Sequence, residues 1–305
     1  MVDNPYLKDF PESPASPDTL YKYVVPERVD VLEGLHIRFS PLLATNDDFE
    51  VRRTFRELAG PRMRAAFAHE VMGLDVDGKL SEALIEAGFG DERLKPLALA
   101  LLRQRFGDTP PTEALRAITL RLIDQFLLTV NREAAIGQLL ERIAGRHVAL
   151  SLTEEPSSST MWAYYAAEGR GFVVAFDTTN SFFCRTNEGK RRKLQQIQYF
   201  DGELGEALDD IRAAFISKSV GWSHEREWRL YAREEEADKV VSFGDQQIHL
   251  FAFPPEMVRG VYVGRRMASQ TVDRIKTALT QNCPESFLRR LEPDRMKGRY
   301  VEVPI

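Results

Sequence analysis

The spacing of apolar and polar residues changes character twice along the chain. Residues 20–25 (LYKYVV) are mostly aromatic or β-branched and are followed by Pro26, which predicts a short strand. Pro26 at a first helical position, then Glu27, with Val29 and Leu32 three apart, predicts a short amphipathic helix over 26–33 that ends at Gly34. Residues 36–40 (HIRFS) alternate polar and apolar, as a half-buried strand does. The next segment, PLLATNDDFE, is rich in turn and cap formers and reads as a loop leading into helix. From 55 to 144 the period becomes helical, with breaks near Gly73, at Gly88 and Gly90, and at Pro110-Pro111. Its longest predicted helix runs over 112–143, where Leu115, Ile118, Leu122, Phe126 and Val130 keep one stripe.

Strand character then returns. Residues 147–152 (HVALSL) predict a strand, and Ser157 to Thr160 supply N-cap residues for a helix MWAYYAAEG ended by Gly169. The near-continuous apolar run 171–177 (GFVVAFD) has the signature of a central strand buried on both sides. Further strands are predicted at 194–200, 226–233, 240–243, 248–253 and 259–263, with helices at 205–218 and 270–280 and closing strands near Phe287 and Tyr300. The strands are short and separated by hairpin-length links, so the expected fold class is α+β, a mixed or antiparallel sheet core with a large helical insertion. The expected organisation is a flexible lead over 1–19 and a single domain over 20–305, with 52–145 as the helical insertion.

Composition narrows this picture. With 43% hydrophobic and 29% charged residues, the 305-residue chain has ample material for a core and no sign of wholesale disorder. Its two cysteines, Cys184 and Cys283, lack a Cys or His at metal-ligand spacing, so neither a disulfide framework nor a zinc site is expected. No apolar run approaches the roughly 20 residues that cross a bilayer, and the first residues lack a secretory h-region, so the expectation is a cytoplasmic protein without a membrane partner. A formal charge of −5 disfavours nucleic acid as a partner, despite the local run Lys190, Arg191, Arg192, Lys193.

The candidate chemistry lies on polar strand faces. In EREWRLYA a two-residue period puts Glu225, Glu227, Arg229 and Tyr231 on one face and Arg226, Trp228, Leu230 and Ala232 on the other, the second being the core side. The same period sets Arg38 opposite Ile37 and Phe39, and Lys22 opposite Tyr21 and Tyr23. If these polar faces meet, Arg38, Lys22, Tyr23, Glu225 and Glu227 share a cleft that offers cations for a phosphate and a carboxylate for acid, base or cation-stabilising work. A solvent face with cross-strand ion pairs is the alternative. On MWAYYAAEG, Trp162 and Tyr165 fall together as a core stripe or a stacking surface for a planar ring. Asp47, Asp48, Glu50 and Glu227 leave a magnesium-dependent nuclease open. The chain has no GxxxxGK[ST], GxGxxG, GxSxG, HExxH or CxxC.

Three blocks, LYKYVVPERVDVLEGLHIRFSPLLATNDDFE, MWAYYAAEGRGFVVAFD and KSVGWSHEREWRLY, resemble in order and spacing the bacterial domain-of-unknown-function family 2971, which carries no assigned activity. A weaker likeness is to the ADP-ribosyltransferase-like fold, in which an early strand makes a polar NAD contact, a Ser or aromatic block follows and a late strand supplies a glutamate. That likeness implies NAD as the cofactor, Lys22 or Tyr23 as the early contact, Ser151 and Tyr164 or Tyr165 in the middle, and Glu227 as the catalytic residue. Glu227 would then orient the nicotinamide ribose and steady an oxocarbenium-like transition state. The ligand-binding set expected around it is Lys22, Tyr23, Arg38, Ser151, Trp162, Tyr165, Glu225 and Arg229, with no metal. The partner expected is a nucleotide-like small molecule, with the helical insertion as a docking surface for a protein and a non-catalytic sensing or interaction module as the rival to a transferase.

Overall fold

The computed structural model describes residues 14–44, 47, 50–51, 57–58, 117, 121, 132–184, 186–187, 190–191, 193–201, 207–208, 213–244 and 246–305. The chain forms two compact units. One comprises Pro5–Arg52, Glu141–Leu204 and Ala214–Ile305, and the other Met1–Asn4, Arg53–Leu140 and Gly205–Ala213. In the second, Glu57–Leu58 pairs in parallel with Ala207–Leu208.

The first unit is built on an eleven-stranded sheet. Its strands are β1 (Thr19–Val24), β2 (His36–Pro41), β3 (His147–Thr153), β4 (Phe172–Asp177), β5 (Leu194–Gln196), β6 (Glu227–Arg233), β7 (Lys239–Phe243), β8 (Gln246–Ala252), β9 (Val258–Gly264), β10 (Phe287–Asp294) and β11 (Arg299–Pro304). The main path runs β7-β8-β2-β3-β1-β4-β9-β10-β11, and β6 branches from it to pair with β3 and β5. Most neighbours are antiparallel. The pair β9 and β10 is parallel, and helix Ser269–Asn282 makes the crossover that parallel strands require. That helix buries Val272, Ile275, Ala278 and Leu279 against the sheet's main core, which holds Leu20, Phe39, Phe172, Phe176, Trp228, Leu230 and Phe251. The apolar run of β4 is buried through Phe176, as its lack of alternation predicts. No helix among the described residues is long and apolar enough to cross a membrane.

The expected fold class needs correction. The described residues are dominated by the eleven-stranded mixed sheet, their longest helix has 14 residues, and no large helical insertion is evident among them. Of the block 52–145, the described residues are 57–58, 117, 121 and 132–145, with a helix at Arg132–Ala144 and a strand at Glu57–Leu58; the rest lies outside them. The predicted helix 205–218 likewise gives, where described, strand Ala207–Leu208, a four-residue helix Ala213–Ile216 and strand Ser217–Ser219. Apolar spacing records which residues seek burial but not which distant strand they meet, and here pairing across the chain decides the state. Of the lead 1–19, residues 1–13 lie outside the described residues, and Thr19 already belongs to β1.

The main path opens at β3. On one edge β3 pairs with β6 along its whole length, from Thr153 opposite Glu227 to His147 opposite Arg233. On the other edge β2 takes Val148 and Ala149, and β1 takes Thr153. Between those contacts Leu150, Ser151 and Leu152 have no described strand beside them on that edge.

Candidate functional site

A cavity of about 260 Å³ opens at this fork. Its walls come from β1 (Tyr21, Lys22, Tyr23), the end of β2 and the loop after it, β3 (Ser151, Thr153), the helix Ser159–Tyr165, Lys218, and the start of β6. Ser158 caps that helix, its hydroxyl accepting from the Met161 N–H at 3.3 Å, and this fixes where Tyr165 stands.

Alternation on β6 sorts the side chains as its sequence period requires. Trp228, Leu230 and Ala232 enter the main core, while Glu227 and Arg229 line the cavity. Glu225 reaches the cavity by another route. It ends the 3-10 turn Val220–Glu225, and Arg226, in the left-handed region at φ 41°, swings the chain into the strand. A non-glycine residue there stores about 1–2 kcal/mol of strain, located between the two glutamates.

Glu225, Glu227, Arg229 and Lys218 are each 5% exposed or less, so this face is not a solvent face. They neutralise one another. Arg229 grips Glu227 with both prongs, Nε to Oε1 at 2.6 Å and Nη2 to Oε2 at 2.8 Å, and its Nη1 donates to Glu50. Lys218 Nζ donates to Glu225 at 2.5 Å and to Glu227 at 3.3 Å, and lies 4.9 Å from the centre of the Trp222 ring. Tyr165 donates its hydroxyl to the other oxygen of Glu225 at 2.5 Å. Tyr199 accepts the Glu227 backbone N–H at 2.8 Å.

Burial alone would push the Glu227 carboxyl up. The Arg229 guanidinium and the Lys218 ammonium outweigh burial and, helped by hydrogen bonds from Arg229 and Ser151, pull it down to about 2. It is therefore a fixed anion at neutral pH, suited to accepting hydrogen bonds or facing positive charge and unsuited to taking a proton. Burial pushes the Glu50 carboxyl up, and Arg229 offsets this only in part. Lys22 has the opposite problem. Its ammonium donates to the Ser151 carbonyl at 2.9 Å, in the stretch of β3 that has no described strand on the edge away from β6. Burial, with repulsion from Arg38 and Arg229, outweighs the attraction of Glu227 and Glu225 and pulls it down to about 8.

Of the residues expected at the site, Lys22, Tyr23, Ser151, Tyr165, Glu225, Glu227 and Arg229 line one cavity. Tyr23 donates its hydroxyl to the Glu155 carbonyl at 2.8 Å. Arg38 and Trp162 do not line it. Arg38 lies two residues along β2 from Ser40, opposite Leu250, and reaches the site only as a charge felt by Lys22. Trp162 is a core residue, edge-on to Tyr23 at 5.4 Å with its indole N–H on the Pro156 carbonyl. Gly264 makes room for it, since a Cβ there would meet the Trp162 ring and lie 2.2 Å from the Gly169 oxygen.

Two site residues escaped the pattern. Lys218 sits in a segment read as helix, and Glu50, named only as a metal ligand, turns with Glu227 to the Arg229 guanidinium. Asp48 lies outside the described residues, among which no group of three or more His, Cys, Asp or Glu gathers to hold a metal ion. No protein-family model, no curated protein and no solved structure matches this chain.

Proposed function

We propose that the cavity binds a nucleotide-like ligand in a cytoplasmic bacterial protein related to the domain-of-unknown-function family 2971, and that its chemistry is ADP-ribosyl transfer from NAD. The observation that carries the reading is Glu227, a carboxylate held ionised at a cavity whose wall includes Tyr165 and a lysine with donors to spare. In this reading the nicotinamide–ribose bond lengthens, positive charge develops on the sugar, and Glu227 faces that charge without leaving its ion pairs. Lys22 meets an acceptor oxygen of the ligand. The cavity volume suits the nicotinamide end of NAD, not the whole dinucleotide.

One observation favours a second reading, a non-catalytic sensing module. Both oxygens of Glu227 already accept from Arg229 or Lys218, so the network also stands as structure alone. Calorimetric titration of NAD, ADP-ribose and ADP into wild type and Glu227→Gln, with nicotinamide release followed in the same samples, separates the two. Binding with release that is lost in Glu227→Gln supports transfer, and binding without release supports sensing. No nucleotide binding at millimolar concentration refutes both.

A further inference from the structure

Most polar groups in the cavity use their hydrogen-bonding capacity on one another. Arg229 divides its fork between Glu227 and Glu50, Lys218 holds both Glu225 and Glu227, and Tyr165 takes the remaining Glu225 oxygen. Two charged groups keep open hydrogen-bonding capacity among the described residues. The Lys22 ammonium has three N–H donors, and among the described residues it makes a single hydrogen bond, to the Ser151 carbonyl. The Glu50 side chain is 0% exposed; its Oε1 accepts from Arg229, and its Oε2 has no hydrogen-bond partner. A buried carboxylate oxygen without a donor is costly, and native interiors seldom leave one without a reason. Arg229 reaches Glu50 through Nη1 to Oε1, while its Nε and Nη2 donate to Glu227.

Resting on the reading of this cavity as a ligand site, we propose that Lys22 and Glu50 select what enters. The ligand offers an acceptor oxygen to Lys22 and an N–H or O–H donor to Glu50, the pattern of a primary carboxamide. A carboxylate of the same shape satisfies Lys22 but meets Glu50 oxygen against oxygen. Glu227, whose oxygens are already engaged, then contributes charge and position while the selection is made beside it.

Nicotinamide and nicotinate are near-isosteric and differ at this one group, so ligand-observed NMR or calorimetry with the pair, and with NAD, tests the assignment. Wild type is expected to prefer nicotinamide by about tenfold or more. In Glu50→Gln, whose amide still accepts from Arg229 and can also donate, the preference falls to within about threefold or reverses. Lys22→Met weakens both ligands by about tenfold, which keeps the assignment testable if the Glu50 variant does not fold. Equal binding of the pair by wild type, or a preference unchanged in Glu50→Gln, overturns the inference while the ligand site stands. Absence of binding by nicotinamide, nicotinate and NAD alike refutes the ligand site and takes the inference with it.

Discussion

Replacing Lys22 by methionine should make the protein more stable while weakening its hold on the proposed ligand about tenfold. The lysine is half-buried, in no ion pair among the described residues, and drawn from 10.5 to about 8, chiefly by desolvation. At about 1.4 kcal/mol per pKa unit the full penalty of carrying that charge at neutral pH is about 3 kcal/mol, reduced to about 2 by the water that still reaches it. Methionine removes the penalty and gives up the hydrogen bond to Ser151, worth about 1 kcal/mol. The expected net gain is about 1 kcal/mol, a rise in Tm of about 1.5 °C. The pH dependence identifies the cause. A lysine whose folded pKa is depressed binds fewer protons folded than unfolded between about 8 and 10.5, so wild-type stability rises with pH through that window. The advantage of Lys22→Met is therefore full below about pH 8 and disappears as the pH approaches 10.5. Urea unfolding of both proteins across this range reads the difference directly. A variant less stable than wild type at neutral pH, or a difference that does not move with pH, would refute the account of Lys22 as a strained cation.

Two further predictions concern the network. Arg229→Met leaves Glu227 and Glu50 buried without their shared counter-ion and should cost about 3–5 kcal/mol in urea unfolding at neutral pH; a loss below about 1 kcal/mol would mean the network is not buried as described. Glu227, depressed from 4.5 to about 2, contributes about 3 kcal/mol that is fully present above pH 4.5 and lost as the pH falls toward 2. Acid unfolding of wild type should show this slope and Glu227→Gln should lack it.

How much of this was legible in the sequence depends on the range of the interaction. The alternation of β6 places Trp228 and Leu230 in the core and Glu227 and Arg229 opposite, because a strand's period is fixed by its backbone whatever it pairs with. The same reasoning put Glu225 on that face for the wrong reason, since Arg226 breaks the strand period between the two glutamates. It also joined Arg38 to Lys22, although β2 meets β3 through Ser40 and Pro41 and places Arg38 opposite β8. Trp162 carried an ambiguous signal that only the neighbouring Tyr23 and Gly264 resolve. Lys218 had no signal in the apolar spacing, only its place at the head of the KSVGWSHEREWRLY block. Its position follows from the pairing of Ser217–Ser219 with Gln198–Phe200, a contact no window of apolar spacing contains.

The location of the cavity follows from the same division between local and distant pairing. A strand buried in a sheet satisfies its backbone on both edges, and a ligand finds nothing to bind there. At β3 two neighbours, β1 and β2, compete for one edge and each takes only an end of it, which leaves the Ser151 carbonyl to be met by a side chain. An apolar residue at position 22 would leave that carbonyl without its donor, whereas a lysine reaches it and brings a charge that must then be balanced. Glu227 and Glu225 answer that charge from β6 and from the turn before it, and Arg229, Lys218 and Glu50 balance them in turn. Among the described residues the chain of compensation ends on Glu50 Oε2, the carboxylate oxygen of the three glutamates that accepts no hydrogen bond, and on the two further donors of Lys22. These two open ends are the groups that the proposed ligand would engage.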